Sequence, residues 1–141
     1  MSHCIRLESL DVSPLSKITE IPRGFLHRCT RLKTLDLSSL SEVTSVGDDF
    51  MYECTSLESL DVSSFSKITE IPRGFLCGCT SLKTLDLSPL SGVTSVGDDF
   101  MYECTSLESL DVSPLSKITE VPRGFLCGCT SNHWICRRWS T

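Results

Sequence analysis

The chain has 141 residues and a formal net charge of −5, which leaves room for one soluble domain and gives no electrostatic basis for nucleic-acid binding. No apolar run approaches the ~20 residues of a membrane-spanning helix, so no membrane span is expected. Met1 to Leu10 lacks the basic start and apolar stretch of a signal peptide, and Asn132, the only asparagine, heads no glycosylation sequon because His133 and Trp134 follow it.

The first element, Leu7-Glu8-Ser9-Leu10-Asp11-Val12, has counterparts beginning at Leu32, Leu57, Leu82 and Leu107, a period of 25 residues that lies in the leucine-rich-repeat range. Two variants alternate, so the longer unit is 50 residues; Asp48 to Asp61 returns unchanged as Asp98 to Asp111. Within one unit, Leu32, Leu35 and Leu37 form L-x-x-L-x-L, whose end alternates inward and outward as a short strand does. Leu40, Val43 and Val46 make a second apolar run, suited by its β-branched residues to a short second strand. Gly47, or Pro22 and Pro72 in the other variant, then turns the chain. Phe50 and Cys54, four apart, predict one helical turn over Asp48 to Cys54. One coil buries too little alone, and stacking supplies the core.

These residues resemble a known family. Val46-Gly47, Phe50, Cys54, Leu57, Leu60 and Val62 follow the pattern of the BspA-like, or treponemal-type, leucine-rich repeats, and the resemblance extends over residues 1 to about 131. It implies a leucine-rich-repeat solenoid: a right-handed stack of about five 25-residue coils, with a parallel sheet on the concave face, short second strands and little helix. The usual asparagine or cysteine position of the repeat holds Leu15, Leu40, Phe65, Leu90 and Leu115, so no asparagine ladder is expected.

Stacking makes columns of residues 25 apart. Phe25, Phe50, Phe75, Phe100 and Phe125 should form an aromatic spine. Glu8, Lys33, Glu58, Lys83 and Glu108 alternate in sign, as do Arg23, Asp48, Arg73, Asp98 and Arg123, and a slip of one unit would bring like charges together. Cys4, Cys29, Cys54, Cys79, Cys104 and Cys129 fill another column. Disulfides, a metal and a reactive thiol are the chemical alternatives there, against buried cysteine acting as a small apolar residue. Cys77 and Cys127 form C-G-C with column cysteines, short of the C-x₂-C zinc spacing, and are expected to face outward and oxidise first, with Cys136.

The aspartate column, Asp11, Asp36, Asp61, Asp86 and Asp111, lies on the strand face that solenoids offer as a concave binding surface. With Ser9, Thr34, Ser59, Thr84 and Ser109 it makes an acidic, hydroxyl-rich candidate site for a protein ligand. The flanking outward residues, Ser9, Thr34, Ser13 and Ser38 among them, could instead solvate the carboxylates by hydrogen bonds. No loop wraps an ion from several sides, so no metal or cofactor is expected. His27 and His3 read as surface histidines, neither set in a catalytic constellation. No Ser-His-Asp set can be assembled, so no enzymatic activity is expected.

Residues 1–131 form the array, without proper caps, and 132–141 a non-repeat tail. The tail reads as frame-shifted: His133 to Trp139 can be written CAT TGG ATT TGT CGC CGT TGG, and two nucleotides later that string encodes the sequence of Leu85 to Leu90. Uncapped ends expose strand edges, so head-to-tail self-association is expected. Resemblance to the BspA-like proteins implies a non-catalytic protein-binding solenoid in surface adhesion or host-factor binding, on the cell surface or secreted. An intracellular interaction scaffold, or a truncated gene fragment, are the alternatives.

Overall fold

The computed structural model describes residues 4–129, so the tail over 132–141, expected to be frame-shifted, lies outside the described residues. Among them, two-residue strands occur at β1 (Glu20–Ile21), β2 (Ser45–Val46), β3 (Glu70–Ile71) and β4 (Ser95–Val96). They pair in parallel as β1–β2 and β3–β4, Glu20 beside Ser45 and Glu70 beside Ser95. Each pair joins residues one sequence period apart. The chain is a leucine-rich-repeat solenoid with short parallel strands and 3₁₀ turns at Ser13–Leu15, Ser63–Phe65, Ser88–Leu90 and Ser113–Leu115.

The regular pairing sits on the second apolar run rather than on L-x-x-L-x-L. Along that first arm the chain is held to its neighbours by single backbone bonds: Glu58 N–H donates to the Lys33 carbonyl at 3.0 Å and Glu108 N–H to the Lys83 carbonyl at 2.9 Å. The arm stops there because the next outward residue, the aspartate, captures the backbone N–H of the serine two positions on and starts a turn. Leucine orientation is as expected. Leu35, Leu60, Leu85 and Leu110 are buried, and Leu10, in the first coil, is partly so.

The core is a continuous column of side chains, with Phe50, Phe65, Phe75 and Phe100 fully buried. The aromatic spine forms, with ring centroids 6.2, 5.2, 6.0 and 5.2 Å apart from Phe25 to Phe125 and near-parallel planes. Phe65 adds an edge-on contact to Phe50 at 5.7 Å.

Asp48 to Cys54 is not a helical turn. Asp49, Met51 and Glu53 all have positive φ (59°, 51° and 55°), and Gly24, Leu26 and Arg28 repeat the alternation at 68°, 58° and 58°. A helix would spend its N–H groups internally. This alternation aims them at both neighbouring coils: Gly24 N–H reaches the Asp48 carbonyl at 2.8 Å, and Met51 N–H reaches back to the Phe25 carbonyl at 2.9 Å. A non-glycine residue held there costs of order 1–3 kcal/mol, and the inter-coil bonds together with burial of Leu26 and Met51 offset that strain.

The charge columns are realised diagonally. Arg23 pairs with Asp49 at 3.4 Å and Arg73 with Asp99 at 3.8 Å, while Asp48 and Asp98 take the backbone N–H of Arg73 and Arg123 at 3.2 and 3.0 Å. Glu8 is paired by Arg31 at 3.4 Å, not by Lys33. Further ties run from Arg28 to Glu53 at 2.6 Å and from Lys67 to Glu42 at 3.2 Å. All are exposed and each contributes little alone; together they favour one coil order.

Candidate functional site

The ten residues of the candidate face, Asp11, Asp36, Asp61, Asp86 and Asp111 with Ser9, Thr34, Ser59, Thr84 and Ser109, are all exposed. They share one arm of five consecutive coils, so the fold brings them into two adjacent rows. Each carboxylate is also structural: its Oδ1 accepts the backbone N–H of Ser13, Ser38, Ser63, Ser88 or Ser113 at 2.8–2.9 Å. Hydrogen bonds from the serine side chain and backbone hold Asp11, Asp36 and Asp86 below the usual carboxylate range. For Asp111 the backbone bond from Ser113 leads and the hydroxyl follows. These aspartates therefore stay charged in mild acid. A carboxylate oxygen on each remains beyond its turn, and the rows offer an array of acceptors and hydroxyls.

A second surface was not singled out from the sequence. A trough of about 710 Å³ lies over the paired strands, lined by Thr44, Ser45, Thr69, Glu70 and Ser95, with Arg23, Asp48 and Arg73 along one side. Its floor is set by Gly47 and Gly97, where side chains are missing for a steric reason: a Cβ on either would lie 2.4 Å from the backbone nitrogen of Arg23 or Arg73. The signal was present in the sequence as the column Thr19, Thr44, Thr69, Thr94 and Thr119, the same residue in all five coils.

The eight cysteines among the described residues are free. In the inward column, Cys54, Cys79, Cys104 and Cys129 each donate S–H to the carbonyl of Leu26, Met51, Leu76 or Met101 in the preceding coil, at 3.1–3.3 Å. These are the carbonyls of the strained positive-φ residues, so the thiol is a small side chain that also serves a buried acceptor. Burial pushes Cys29 up to about 11 and Cys54 up to about 12, far from a reactive thiolate. Cys77 departs from expectation. It is only 5% exposed, and burial raises its pKa to about 11, with the carboxylates of Asp99, Glu103 and Glu53 adding to the effect and a hydrogen bond with Tyr52 opposing it. Cys127, in the same column one pair of coils on, is exposed as expected, and Cys136 lies outside the described residues. His27 is not a bare surface histidine either: it is partly buried and packs edge-on against Tyr52 at 5.2 Å.

Among the described residues no group of three or more His, Cys, Asp and Glu is placed to hold a metal ion, and no helix is long and apolar enough to cross a membrane. No curated protein matches the sequence. The fold is similar to that of a leucine rich cell surface protein from Faecalibacterium prausnitzii A2-165, with a TM-score of 0.68 at 26% identity over 81% of this chain and 28% of that one. A leucine-rich repeat protein from Bacteroides ovatus ATCC 8483 shares the fold with a TM-score of 0.53 at 21% identity, over 79% of this chain and 33% of that one. The chain thus spans a third or less of the length of either protein. Residues 1–133 match the BspA type leucine rich repeat region in six copies. Since that match runs through every coil described above, the chain belongs to the BspA-type leucine-rich-repeat family.

Proposed function

We propose that the chain is a non-catalytic, protein-binding stretch of a leucine-rich-repeat protein that is displayed on a cell surface or secreted, where it acts in adhesion or host-factor binding. It presents the aspartate and hydroxyl rows to a basic patch on a protein ligand. The observation that carries this is the exposure of all ten side chains along one arm of five consecutive coils. The repeated turn bonds add preorganisation, because each carboxylate is already fixed before a ligand arrives. Surface display draws its support from the described cell-surface role of the Faecalibacterium prausnitzii protein.

An intracellular scaffold is the second reading, favoured by the eight free thiols, which persist most readily in reducing compartments. Burial weakens that inference, since six of the eight are buried and protected wherever the protein resides.

The test is adherence of beads coated with the full chain to cultured epithelial cells, at low and high salt. The variant replaces Asp36, Asp61 and Asp86 by Asn together, which removes three charges yet leaves an oxygen to accept each serine N–H. Salt-sensitive adherence that the variant loses, with unchanged thermal unfolding, supports the proposal. Absent adherence, or equal adherence by the folded variant, overturns it.

A further inference from the structure

Coils of two kinds alternate. The first kind carries Pro-Arg-Gly at its corner (Pro22 to Gly24, Pro72 to Gly74, Pro122 to Gly124), and the second carries Gly-Asp-Asp (Gly47 to Asp49, Gly97 to Asp99). Where a second-kind coil follows a first-kind coil, one set of contacts appears twice. The strands pair there, as β1–β2 and as β3–β4. Gly47 N–H donates to the Ile21 carbonyl and Gly97 N–H to the Ile71 carbonyl, both at 2.8 Å. Arg23 meets Asp49 and Arg73 meets Asp99. Only glycine fits beneath the Pro-Arg corner, because an added Cβ would stand 2.4 Å from Arg23 N or Arg73 N and 2.7–2.8 Å from the proline carbonyl carbon.

The fifth coil is of the first kind and repeats this surface a third time. Ile21 and Ile71 are each 2% exposed under their second-kind neighbours, whereas Val121 in the same column is 36% exposed. Cys77 is buried beneath the coil that brings Asp99 and Glu103, and Cys127 in the same column is exposed.

We propose that the outward face of the fifth coil is a selective docking surface for a coil of the second kind, and that it rejects a coil of its own kind. A second-kind coil brings glycine under Pro122-Arg123 and carboxylates to Arg123. A first-kind coil brings proline where not even one methyl group fits, arginine onto Arg123 and glutamate onto Glu120. Stacking of a first-kind coil, such as the one that carries Pro22 to Gly24, is therefore opposed at this face by both sterics and charge. This rests on the coil contacts alone and is independent of the proposed ligand face.

The test uses the full chain with a 25-residue insertion between Cys129 and Thr130, copied either from residues 80–104 (second kind) or from 55–79 (first kind). The readout is alkylation of Cys127 in native protein, resolved by peptide mass. The second-kind insertion should slow Cys127 by at least about tenfold, toward the rate of Cys77, as closure of an exposed thiol does, and the first-kind insertion should leave it fast. A third variant, the first-kind insertion with Gly-Asp-Asp written into its corner, should recover the protection. Equal protection by both parent insertions, or none from the second-kind insertion and the third variant, would overturn the proposal.

Discussion

Replacing Ser64 by proline should stabilise the protein. The column through Ser64 reads Pro14, Ser39, Ser64, Pro89 and Pro114. Its three prolines lie in the opening positions of the 3₁₀ turns Ser13–Leu15, Ser88–Leu90 and Ser113–Leu115, and Ser64 holds the equivalent place in Ser63–Phe65. The backbone at Ser64 therefore already has a shape that proline's fixed φ accepts. Ser64 is 8% exposed, and its Oγ is buried with no hydrogen-bond partner. Two effects add. Restricting the unfolded chain contributes about 0.4–1 kcal/mol. Removing an unpaired hydroxyl recovers part of a desolvation cost of about 1–3 kcal/mol. A net gain of about 1–2 kcal/mol should raise Tm by roughly 3–8 °C for a chain of this size. Differential scanning calorimetry on the native chain, Ser64→Ala and Ser64→Pro separates the effects, since alanine removes the hydroxyl without the ring. A lower Tm for Ser64→Pro would refute the equivalence of the five column positions. A loss of stability in Ser64→Ala would show that the hydroxyl is not an orphan.

Phe75→Ala should cost roughly 3–5 kcal/mol in denaturant melts, because the ring is fully buried between Phe50 and Phe100; an unchanged midpoint would remove Phe75 from the core. Gly47→Ala should cost at least about 1–3 kcal/mol, as overpacking does, whereas Gly92→Ala, whose nearest neighbour would be the Ile68 carbonyl oxygen at 3.7 Å, should be neutral or stabilising by the same melts. Folding favours the neutral thiols of Cys29, Cys54 and Cys77, raised to about 11 or 12, so stability is intact below the ordinary thiol pKa of about 8.5 and declines as pH climbs from there through the folded values. A melting temperature that stays flat up to pH ~11 would contradict the burial of these groups. Asp11, Asp36, Asp86 and Asp111 have depressed pKa values, so their turn bonds persist through the ordinary carboxylate range and are lost only as pH falls further, through the folded values. Carboxyl carbon shifts followed by NMR should titrate low; midpoints at or above the usual aspartate value would count against the turns.

The solenoid, its register and its aromatic spine were legible because they depend on periodicity, which a sequence displays directly. The inward leucines and the free cysteine column followed from the same count. What eluded the sequence depends on where backbone N–H groups go. That serines such as Ser13 and Ser38 solvate the aspartates is expected from the sequence; that the backbone N–H of each donates, ending one arm and leaving regular pairing to the other, is not. The Asp48 to Cys54 segment carries the four-residue spacing of a helical turn, yet its alternating positive φ serves neighbours 24 and 26 residues away, a geometry that apolar spacing does not distinguish from a helix. Cys77 was misplaced because its neighbours Tyr52, Asp99 and Glu103 come from adjacent coils. The trough was overlooked although its threonines repeat without exception, since uniform hydroxyls announce no chemistry by themselves.

The positive-φ position occupied in turn by Leu26, Met51, Leu76, Met101 and Leu126 sets a rule for how such a gene can drift. The inward column Ile21, Val46, Ile71, Val96 and Val121 is β-branched in every coil, whereas this one never is. Here the left-handed backbone penalises a side chain branched at Cβ, while full burial excludes polar ones. Glycine would relax the backbone but leave a void. Single-nucleotide changes from a leucine codon readily reach isoleucine and valine, so a large share of the mutations arising at these five codons should be eliminated. A library covering all positions, sorted for folded protein, would show these five as windows open to leucine and methionine but closed to isoleucine and valine, unlike the Ile21 column.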